Sequence, residues 1–297
     1  MKRLLLYLSC FLLVGGSGTA LQSCETWEMP SEQTLSINQG LVAYLPFDKG
    51  SLKDSIRLDE KRITQTITWG DTLEPAFVKG FSDTQGASNL AIYFNGQYPY
   101  PSRKGNFLSL EDTASLQFNN QFSISLWIKP DITKLTEPYA AMQIFHKSNY
   151  DGTGNESFSS MIRRVSTNVG STMVNSTLMV LSNVKMDDPE SLSNVSRCTL
   201  AGPGWQRATL TLNPSVIVND SWHHIVFTYT GKYVSIYTDG NLSDAFELDG
   251  TKIQSCPGGD LRFGMGDIKS SSYFKGAMDE IRIYNRQLND NEVKSLF

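Results

Sequence analysis

Residues 221–240 have the pattern of two extended strands rich in aromatic and β-branched residues, with a short glycine-containing turn in the middle. A period of two is the spacing at which successive side chains of an extended strand point to opposite faces of a sheet. Gly231 supplies the backbone freedom that a tight turn between two strands requires. The pattern therefore predicts a β-hairpin. Because an isolated hairpin is not stable in water, we expect further strands beside it and a second layer over it.

Other segments are typical of short strands bounded by Gly, Pro, Asn or Asp. They are residues 40–48, 63–69, 91–96, 106–110, 122–129, 245–248, 261–266 and 276–284. Between residues 132 and 219 the pattern is weaker. Strand fragments are predicted there at 144–145, 161–162, 177–180 and 207–212, and a polar loop is predicted at 147–159.

The end of the chain differs from the rest, because Asn289 and Glu292 have the spacing of a helix N-cap and its capping partner. No other segment shows a sustained helical period. Many short strands with turns between them favour an all-β fold. We expect residues 39–297 to form one two-layer antiparallel β-sandwich, a jelly roll, with a short C-terminal helical turn.

The N-terminal residues have the layout of a secretory signal peptide: a cationic start, an apolar run too short to span a bilayer, and then small residues. Residues 21–24, Leu-Gln-Ser-Cys, resemble a bacterial lipobox, in which cleavage precedes a cysteine that becomes lipidated. We predict a signal peptide over 1–23, a lipid on Cys24 and a tether over 24–38. An ordinary signal peptide with an incidental cysteine is the alternative.

Acidic residues follow the predicted lipid-bearing cysteine, at Glu25 and Glu28. They resemble the surface-export signals of Bacteroidetes lipoproteins. This resemblance implies an outer-membrane protein that is lipid-anchored and exposed on the cell surface.

The charge of the chain limits the classes of partner that the sequence predicts. Loss of Lys2 and Arg3 with the signal peptide would move the formal net charge from −4 to −6. The sequence has no basic stripe with interleaved aromatic residues, so we do not expect nucleic acid as a partner.

With Cys24 lipidated, the cysteines beyond it are Cys198 and Cys256. Because exported proteins meet oxidising surroundings, we predict a disulfide between them, with free thiols as the alternative.

Six segments, in chain order, read GLVAYLPFD, AIYFNG, FSISLWIKP, SWHHIVFTYTGKYVSIYTDG, LRFGMGD and FKGAMDEIRIYNRQLNDNEVKSLF. In this order they resemble the concanavalin A-like lectin/glucanase superfamily, in its laminin-G-like branch. The resemblance covers roughly residues 40–297 and implies a jelly roll. Residues 132–219 are longer than the matching part of the compact family pattern.

The aromatic and histidine residues of the predicted strands have structural interpretations. Trp127 and Trp222 lie in alternating strands, and we predict that they fill the core between the sheets. His223 and His224 are adjacent, so their side chains point to opposite faces and cannot bind one metal ion together. We predict that both are packed or hydrogen-bonded.

The resemblance implies one structural Ca²⁺, held by an aspartate near the end of the chain and by oxygens of early loops. Carried over to this sequence, the ligands are Asp279, Asp48 and the carbonyl groups around Asn95 and Gly96. Calcium prefers such hard oxygen donors, and binding would tie the two ends of the domain together. The alternative for Asp279 and its neighbour Glu280 is a salt-bridged turn at a sheet edge.

The carboxylates do not form the E-x-D-x-x-E pattern of the glucanases that share this fold. The nearest fragment, residues 247–249, lacks the third acid, and no Ser-His-Asp arrangement with supporting glycines occurs. We therefore expect a binding protein rather than an enzyme. A hydrolase or lyase with unfamiliar spacing is the alternative.

Sugar recognition uses flat aromatic faces together with polar side chains. The loops offer five aromatic candidates, for each of which packing within the loop is the alternative: Tyr98, Tyr100, Tyr139, Tyr150 and Trp205. We predict a cell-surface lipoprotein that binds a glycan or polysaccharide without catalysis. The competing hypothesis is an accessory subunit that docks on an outer-membrane TonB-dependent transporter through protein contacts.

Overall fold

Alternating side chains build short strands along most of the chain that the structure describes. The computed structural model describes residues 36–52, 67–69, 76–81, 89–96, 105–111, 114–116, 118, 120–133, 135, 141–148, 156–166, 173–184, 205–211, 217–247, 252–253, 259–266 and 272–297. Leu35–Phe297 form one compact unit.

The strands follow one another in chain order, with a helix at the end. They are β1 (Leu41–Leu45), β2 (Ile67–Trp69), β3 (Ala76–Lys79), β4 (Leu90–Asn95), β5 (Leu108–Leu110), β6 (Phe122–Pro130), β7 (Ala141–Ser148), β8 (Glu156–Ser166), β9 (Met173–Val184), β10 (Trp205–Thr211), β11 (His223–Tyr229), β12 (Tyr233–Thr238), β13 (Asn241–Glu247), β14 (Lys252–Ile253), β15 (Leu261–Phe263) and β16 (Lys275–Tyr284). Helix α1 spans Asp290–Leu296, and 3-10 turns occur at Asp48–Gly50 and Ala114–Leu116.

Within the described residues the strands form two antiparallel sheets of eight strands each. The first sheet has the order β13-β12-β11-β6-β16-β4-β3, with β1 also paired to β16. The second sheet has the order β10-β9-β8-β7-β15-β5-β2, with β14 paired to β9. This architecture confirms the predicted all-β sandwich with a short C-terminal helix.

The core lies between the two sheets and is built by the period-two pattern of their strands. In β6, Ile124, Leu126 and Ile128 are fully buried and belong to the core cluster. The Phe145 ring of β7 meets the Phe227 ring of β11 edge-on, with centroids 5.0 Å apart. Each large apolar side chain buried in this way contributes roughly 1.5–3 kcal/mol to stability.

The prediction that Trp127 fills the core between the sheets is wrong, because Trp127 is buried on the other, outer side of the first sheet. Leu126 and Ile128 take the inward positions of β6, so the alternation places Trp127 on the outer face of the first sheet. It is 7% exposed there, covered by other aromatic rings. Trp222, just before β11, is half-buried and packs edge-on against one of these rings, Phe81.

The region between residues 132 and 219 contains longer strands than the sequence indicates. The sequence predicts a polar loop at 147–159, but β7 extends to Ser148 and β8 begins at Glu156. The register between β7 and β8 shifts twice, and such irregularities break the alternation that sequence patterns rely on. Two further strands, β3 and β14, were not predicted.

Candidate functional site

A depression of about 470 Å³ opens on the outer face of the first sheet. Its floor is formed by β3, β4, β16 and the end of β6, and its rim by the residues around 131–133 and 219–220. The side chains that define its chemistry are Tyr93, Lys129, Asp131, Thr133, Asn219 and Asp220. An aromatic ring beside amide, hydroxyl and charged groups is the composition that a sugar site needs.

Tyr93 is a half-buried aromatic residue of the depression whose neighbours on the adjacent strands are small. Its neighbour across the β4–β16 ladder is Ala277, and its neighbour across the β3–β4 ladder is Ala76. Directly opposite side chains on adjacent strands are the ones that cover each other, and alanine ends at Cβ. The half-buried Tyr93 ring therefore has no large side chain directly opposite it on either adjacent strand.

Gly276 lines the depression where β16 pairs with Pro130 at the end of β6. Its φ is +132°, and a Cβ at this position would lie 2.2 Å from the carbonyl oxygen of Lys129. A larger residue would need both a strained backbone and a shift of β6. This glycine therefore allows β16 and β6 to approach each other closely at the edge of the depression.

The polar rim is held in place by contacts within the protein. Lys275 forms an ion pair with Asp131 at 2.8 Å, and Lys129 pairs with Asp220 at 3.2 Å. The backbone N–H of Ile132 donates to Asn219 Oδ1 at 2.8 Å. Each of these two lysines in and beside the rim therefore has an anionic partner.

Asp131 stays ionised over the usual pH range. Burial raises the pKa of its carboxyl, but hydrogen bonds from Lys275 and Thr133 outweigh burial and hold the pKa below its usual value. Ionised, the carboxylate is an acceptor for hydroxyl groups.

The sequence-predicted ligand residues are not the ones that line this depression. Tyr98, Tyr100, Tyr139 and Tyr150 lie outside the described residues. Trp205 begins β10 at one edge of the second sheet, and its side chain is not described. Sequence reasoning missed Tyr93, although the alternation of the segment AIYFNG places it opposite in direction to Ile92 and Phe94.

Asp279 lies in β16 on the same outer face, with its carboxylate almost completely buried. Its Oδ1 accepts from the N–H of Glu280 at 2.8 Å and its Oδ2 from the N–H of Phe81 at 3.2 Å. Burial raises the pKa of Asp279 to about 7 despite these bonds, with the negative charge of Glu280 adding to the rise. Such a carboxylate requires either a proton or a cation near neutral pH.

An orphaned oxygen lies next to this carboxylate. Asn89 Oδ1 is buried without a hydrogen-bond partner. A Cβ on Gly80 would lie 1.6 Å from Asn89 Oδ1 and 2.7 Å from Asp279 Oδ2, so both oxygens border the same small space. Ca²⁺ takes about six to eight oxygen ligands, and of these the described residues bring together here the Asp279 carboxylate and the Asn89 amide oxygen, with Asp48 close enough to influence Asp279 electrostatically.

The other predicted calcium ligands lie elsewhere. Asn95 pairs with Lys275, four residues along β16 from Asp279, and its Oδ1 accepts from the N–H of Asn106 at 3.0 Å. Gly96 donates to the carbonyl of Phe274. Among the described residues, no group of three or more His, Cys, Asp or Glu side chains is arranged to hold a metal.

Both strand histidines are hydrogen-bonded. His223 Nε2 accepts from the N–H of Val218 at 2.9 Å, so its Nδ1 carries the proton and donates to Asp239 at 3.0 Å. His224 Nε2 lies 2.8 Å from Ser125 Oγ. Cys24, Cys198 and Cys256 lie outside the described residues, so lipidation and the disulfide stay predictions.

The fold and the sequence together define the class of protein. Residues 102–294 match the family described as the concanavalin A-like lectin/glucanases superfamily. Because this match covers more than half of the chain, the chain belongs to that superfamily. No curated protein matches the chain.

Solved structures of low sequence identity share the fold. Domain 4 of AbnA, a GH43 extracellular arabinanase from Geobacillus stearothermophilus solved with arabinotriose, is 20% identical with a TM-score of 0.50, over 86% of this chain and 97% of that one. The binding domain of botulinum neurotoxin DC, solved with rat synaptotagmin II, is 14% identical with a TM-score of 0.55, over 88% of this chain and 52% of that one. The binding domain of Paraclostridial Mosquitocidal Protein 1 is 16% identical with a TM-score of 0.55 and the same coverages.

This chain therefore spans about half the length of the two toxin domains. The described part of the chain contains no helix with the length and hydrophobicity that a membrane crossing needs.

Proposed function

We propose that this protein is a cell-surface, lipid-anchored carbohydrate-binding protein without catalytic activity, and that the depression around Tyr93 is its glycan site. The observation that carries this proposal is the placement of the half-buried Tyr93 between two alanines in the depression, beside a polar rim. A sugar ring would stack on the phenol ring while its hydroxyl groups meet Asp131 and Asn219.

The charges of the rim favour an uncharged glycan. Lys129 and Asp220 pair with each other, and Asp131 pairs with Lys275. A ligand with its own charge would have to compete with these ion pairs. A neutral polysaccharide would only replace water at the rim.

Replacing the aromatic surface tests the site. Tyr93→Ala should lower affinity for a neutral oligosaccharide found on a glycan array by at least tenfold, because stacking is lost, and should leave the thermal midpoint nearly unchanged. Tyr233→Ala is the matched control, since Tyr233 is 41% exposed at the far hairpin of the same sheet. Unchanged binding by Tyr93→Ala, or reducing sugar released from the bound glycan, would contradict the proposal.

The anchor is proposed from the sequence alone. Metabolic labelling with a palmitate analogue should mark the wild-type protein and not Cys24→Ala, and the lipidated form should partition with outer membranes. Labelling of both proteins to the same extent would exclude Cys24 as the lipid-bearing residue.

The transporter-subunit hypothesis has its own supporting feature at the edge strand β13. Leu242 is 53% exposed and Phe246 is 47% exposed there, next to backbone groups that no further strand in the described residues pairs. Edges of this kind can dock another protein. Co-purification with an outer-membrane transporter that is lost in Leu242→Lys, together with no glycan binding, would favour this function instead.

We also propose a structural Ca²⁺ between Asp279 and Asn89. The buried carboxylate and the orphaned amide oxygen support it, since a cation would neutralise one and coordinate the other. Calcium should raise the thermal midpoint of the wild-type protein over that in chelator. Equal midpoints would remove the proposal.

A further inference from the structure

Two residues of the rim, Asn219 and Asp220, belong to a short segment that leads into β11. At the start of this segment Ile217 lies in the core between the sheets, whereas Asn219 and Asp220 line the depression on the outer face of the first sheet. The segment therefore passes from one side of this sheet to the other. The position of its rim groups depends on the contacts that hold it on both sides.

On the outer side the segment is attached to the end of β6 and the residues after it. The N–H of Asp220 donates to the carbonyl of Pro130 at 2.9 Å, and Asn219 accepts from the backbone beyond β6. On the inner side the N–H of Val218 donates to Nε2 of His223 at 2.9 Å. This imidazole is a side-chain anchor of the segment, and its ability to accept a hydrogen bond depends on its protonation.

The His223 ring is itself fixed by Asp239. The ring is 6% exposed, and its Nδ1 donates to Asp239 Oδ2 at 3.0 Å, while Asp239 Oδ1 accepts from the N–H of His224 at 2.8 Å. Burial raises the pKa of the Asp239 carboxyl, but the hydrogen bonds from His223 and His224 outweigh burial and hold this pKa below its usual value. A second proton on the ring would therefore strengthen the pair with Asp239, and at Nε2 it would remove the acceptor that Val218 uses.

The other charged groups of the elements around His223 lie on the opposite side of the sheet. Lys129 of β6 and Asp220 of the segment pair with each other at the depression. His224 points away from its neighbour, as adjacent strand residues do, and burial lowers its pKa to about 4. Among the described residues, Asp239 is the charged group in contact with the His223 ring.

We propose that His223 is a positioning residue of the rim: its neutral imidazole holds Val218 and thereby Asn219, and a second proton releases this anchor. The inference rests on the proposed glycan site and adds a dependence on pH to it. When the anchor is released, the rim that can bind is one of several conformations, and the apparent affinity falls by that fraction. We expect affinity for a neutral glycan to fall about fivefold from pH 7.5 to pH 5.0, as the loss of one hydrogen bond predicts.

Nuclear magnetic resonance of the full chain labelled with ¹⁵N tests the anchor without a ligand. At pH 7.5 the His223 ring should be the tautomer with its proton on Nδ1. As the pH falls, the amide signals of Val218 and Asn219 should shift with the same midpoint as the ring nitrogens of His223. Amide signals that stay unchanged while His223 takes up its second proton would overturn the inference, and so would a ring that stays neutral down to pH 5.0.

Binding measurements at pH 7.5 and pH 5.0 test the consequence for the site. The probe is a neutral oligosaccharide from the glycan array whose binding is lost in Tyr93→Ala. His223→Gln offers Val218 an acceptor that does not titrate, so it should bind as the wild-type protein does at pH 7.5 and keep that affinity at pH 5.0. His223→Asn is too short to reach Val218 and should bind weakly at both values. His224→Gln is the matched control and should keep the wild-type pH profile.

Two results of these measurements would overturn the role of His223. One is a His223→Gln protein that still loses affinity on acidification, and the other is a His224→Gln protein that no longer does. Asp131 of the rim should not contribute to the profile, because the pKa of its carboxyl is held below its usual value. If no oligosaccharide on the array requires Tyr93, the proposed function fails, and the magnetic resonance titration alone decides whether His223 anchors the rim.

Discussion

The Trp127 ring lies nearly parallel to the Phe81 ring, with centroids 4.0 Å apart and 10° between the planes. On the same outer face of the first sheet, the Phe297 ring stacks on Trp127 at 5.7 Å and the His224 ring at 5.1 Å. These rings form a small aromatic cluster outside the main core. The cluster joins the segment after β3, the middle of the sheet and the C-terminal residue.

The cluster should carry a substantial share of stability. Trp127→Ala should cost about 3–5 kcal/mol of unfolding free energy, as large aromatic truncations in packed sites do. Phe81→Ala should cost less and shift Trp emission to longer wavelength, because it uncovers the indole. Denaturant unfolding followed by fluorescence measures both effects.

Phe246→Ala is the control for these variants, since Phe246 is half-exposed on the edge strand. It should change the unfolding free energy by less than about 0.5 kcal/mol. A Trp127→Ala cost as small as that of the control would mean that the cluster does not stabilise the fold.

The period of two predicted most strands of the first sheet, because each has one face in the core and one outside. It could not predict which face Trp127 takes, since that depends on the parity of β6 and not on hydrophobicity. The period of two was least informative in β7 and β8, where shifts in register interrupt the alternation of core-facing and outward-facing residues. Long-range pairing decides these points, and a local pattern does not contain it.

Asp279 should make stability fall as pH rises towards neutrality. Its folded-state pKa, about 7, is above the unfolded value of 3.8, so the folded protein holds a proton that the unfolded chain releases. The stability tied to this proton is present below pH 4 and is lost as pH rises through 7, with a slope of at most about 1.4 kcal/mol per pH unit. Urea unfolding in chelator from pH 6.5 to 7.5 should show this decline.

Asp279→Asn should flatten that decline, because an amide does not titrate. Asp244→Asn, a half-buried position on β13, should leave it unchanged. If the Asp279→Asn protein retains the wild-type slope, another group causes the decline. Where calcium is bound, it should stabilise more at pH 7.5 than at pH 5.5, since protons compete with the ion for this carboxylate.

His224 should have the opposite effect to Asp279 on the pH dependence of stability, because it should make the protein less stable as the pH falls. Burial lowers its pKa to about 4, with the positive charge of Arg282 adding to the shift, so the folded protein keeps this ring neutral while the unfolded chain protonates it. Stability tied to His224 is therefore present above pH 6.5 and is lost as pH falls towards 4, by up to roughly 3 kcal/mol. His224→Gln should unfold less readily than the wild-type protein on acidification from pH 6.5 to pH 4.5, relative to each protein's stability at pH 7. An identical loss in both would assign the acid sensitivity to other groups.

The candidate sites, like the position of Trp127, depend on long-range strand pairing that the sequence pattern does not contain. Asp279 was predicted as a calcium ligand from the family resemblance, but Asn89 was not, because only the pairing of β4 with β16 brings the start of β4 beside Asp279. Tyr93 became a candidate only when the ladders revealed alanine on both sides. The amino-acid sequence shows that such residues are present, whereas the register of the strands decides which side chains lie next to them.

The start of helix α1 offers a test of coupled contacts. Asn289 Oδ1 accepts from the N–H of Glu292 at 3.0 Å, and Glu292 Oε2 accepts from the N–H of Asn289 at 2.9 Å, which completes the predicted capping box. Glu292 also holds the Arg286 guanidinium with two contacts of 2.8 Å, and it is 1% exposed. Arg286 in turn donates to the carbonyl of Gln39, before β1.

Because Glu292 serves both the cap and the ion pair, its removal should cost far more than removal of the cap alone. Asn289→Ala should cost about 1 kcal/mol. Glu292→Ala should cost about 3–5 kcal/mol, since it leaves the Arg286 charge without its partner. The double variant should cost less than the two single costs combined, as expected for residues in one network. Lys294→Ala, on the exposed side of the helix, is the control and should stay near wild type. A Glu292→Ala cost no larger than that of Asn289→Ala would show that the Arg286 pair does not link the two ends of the domain.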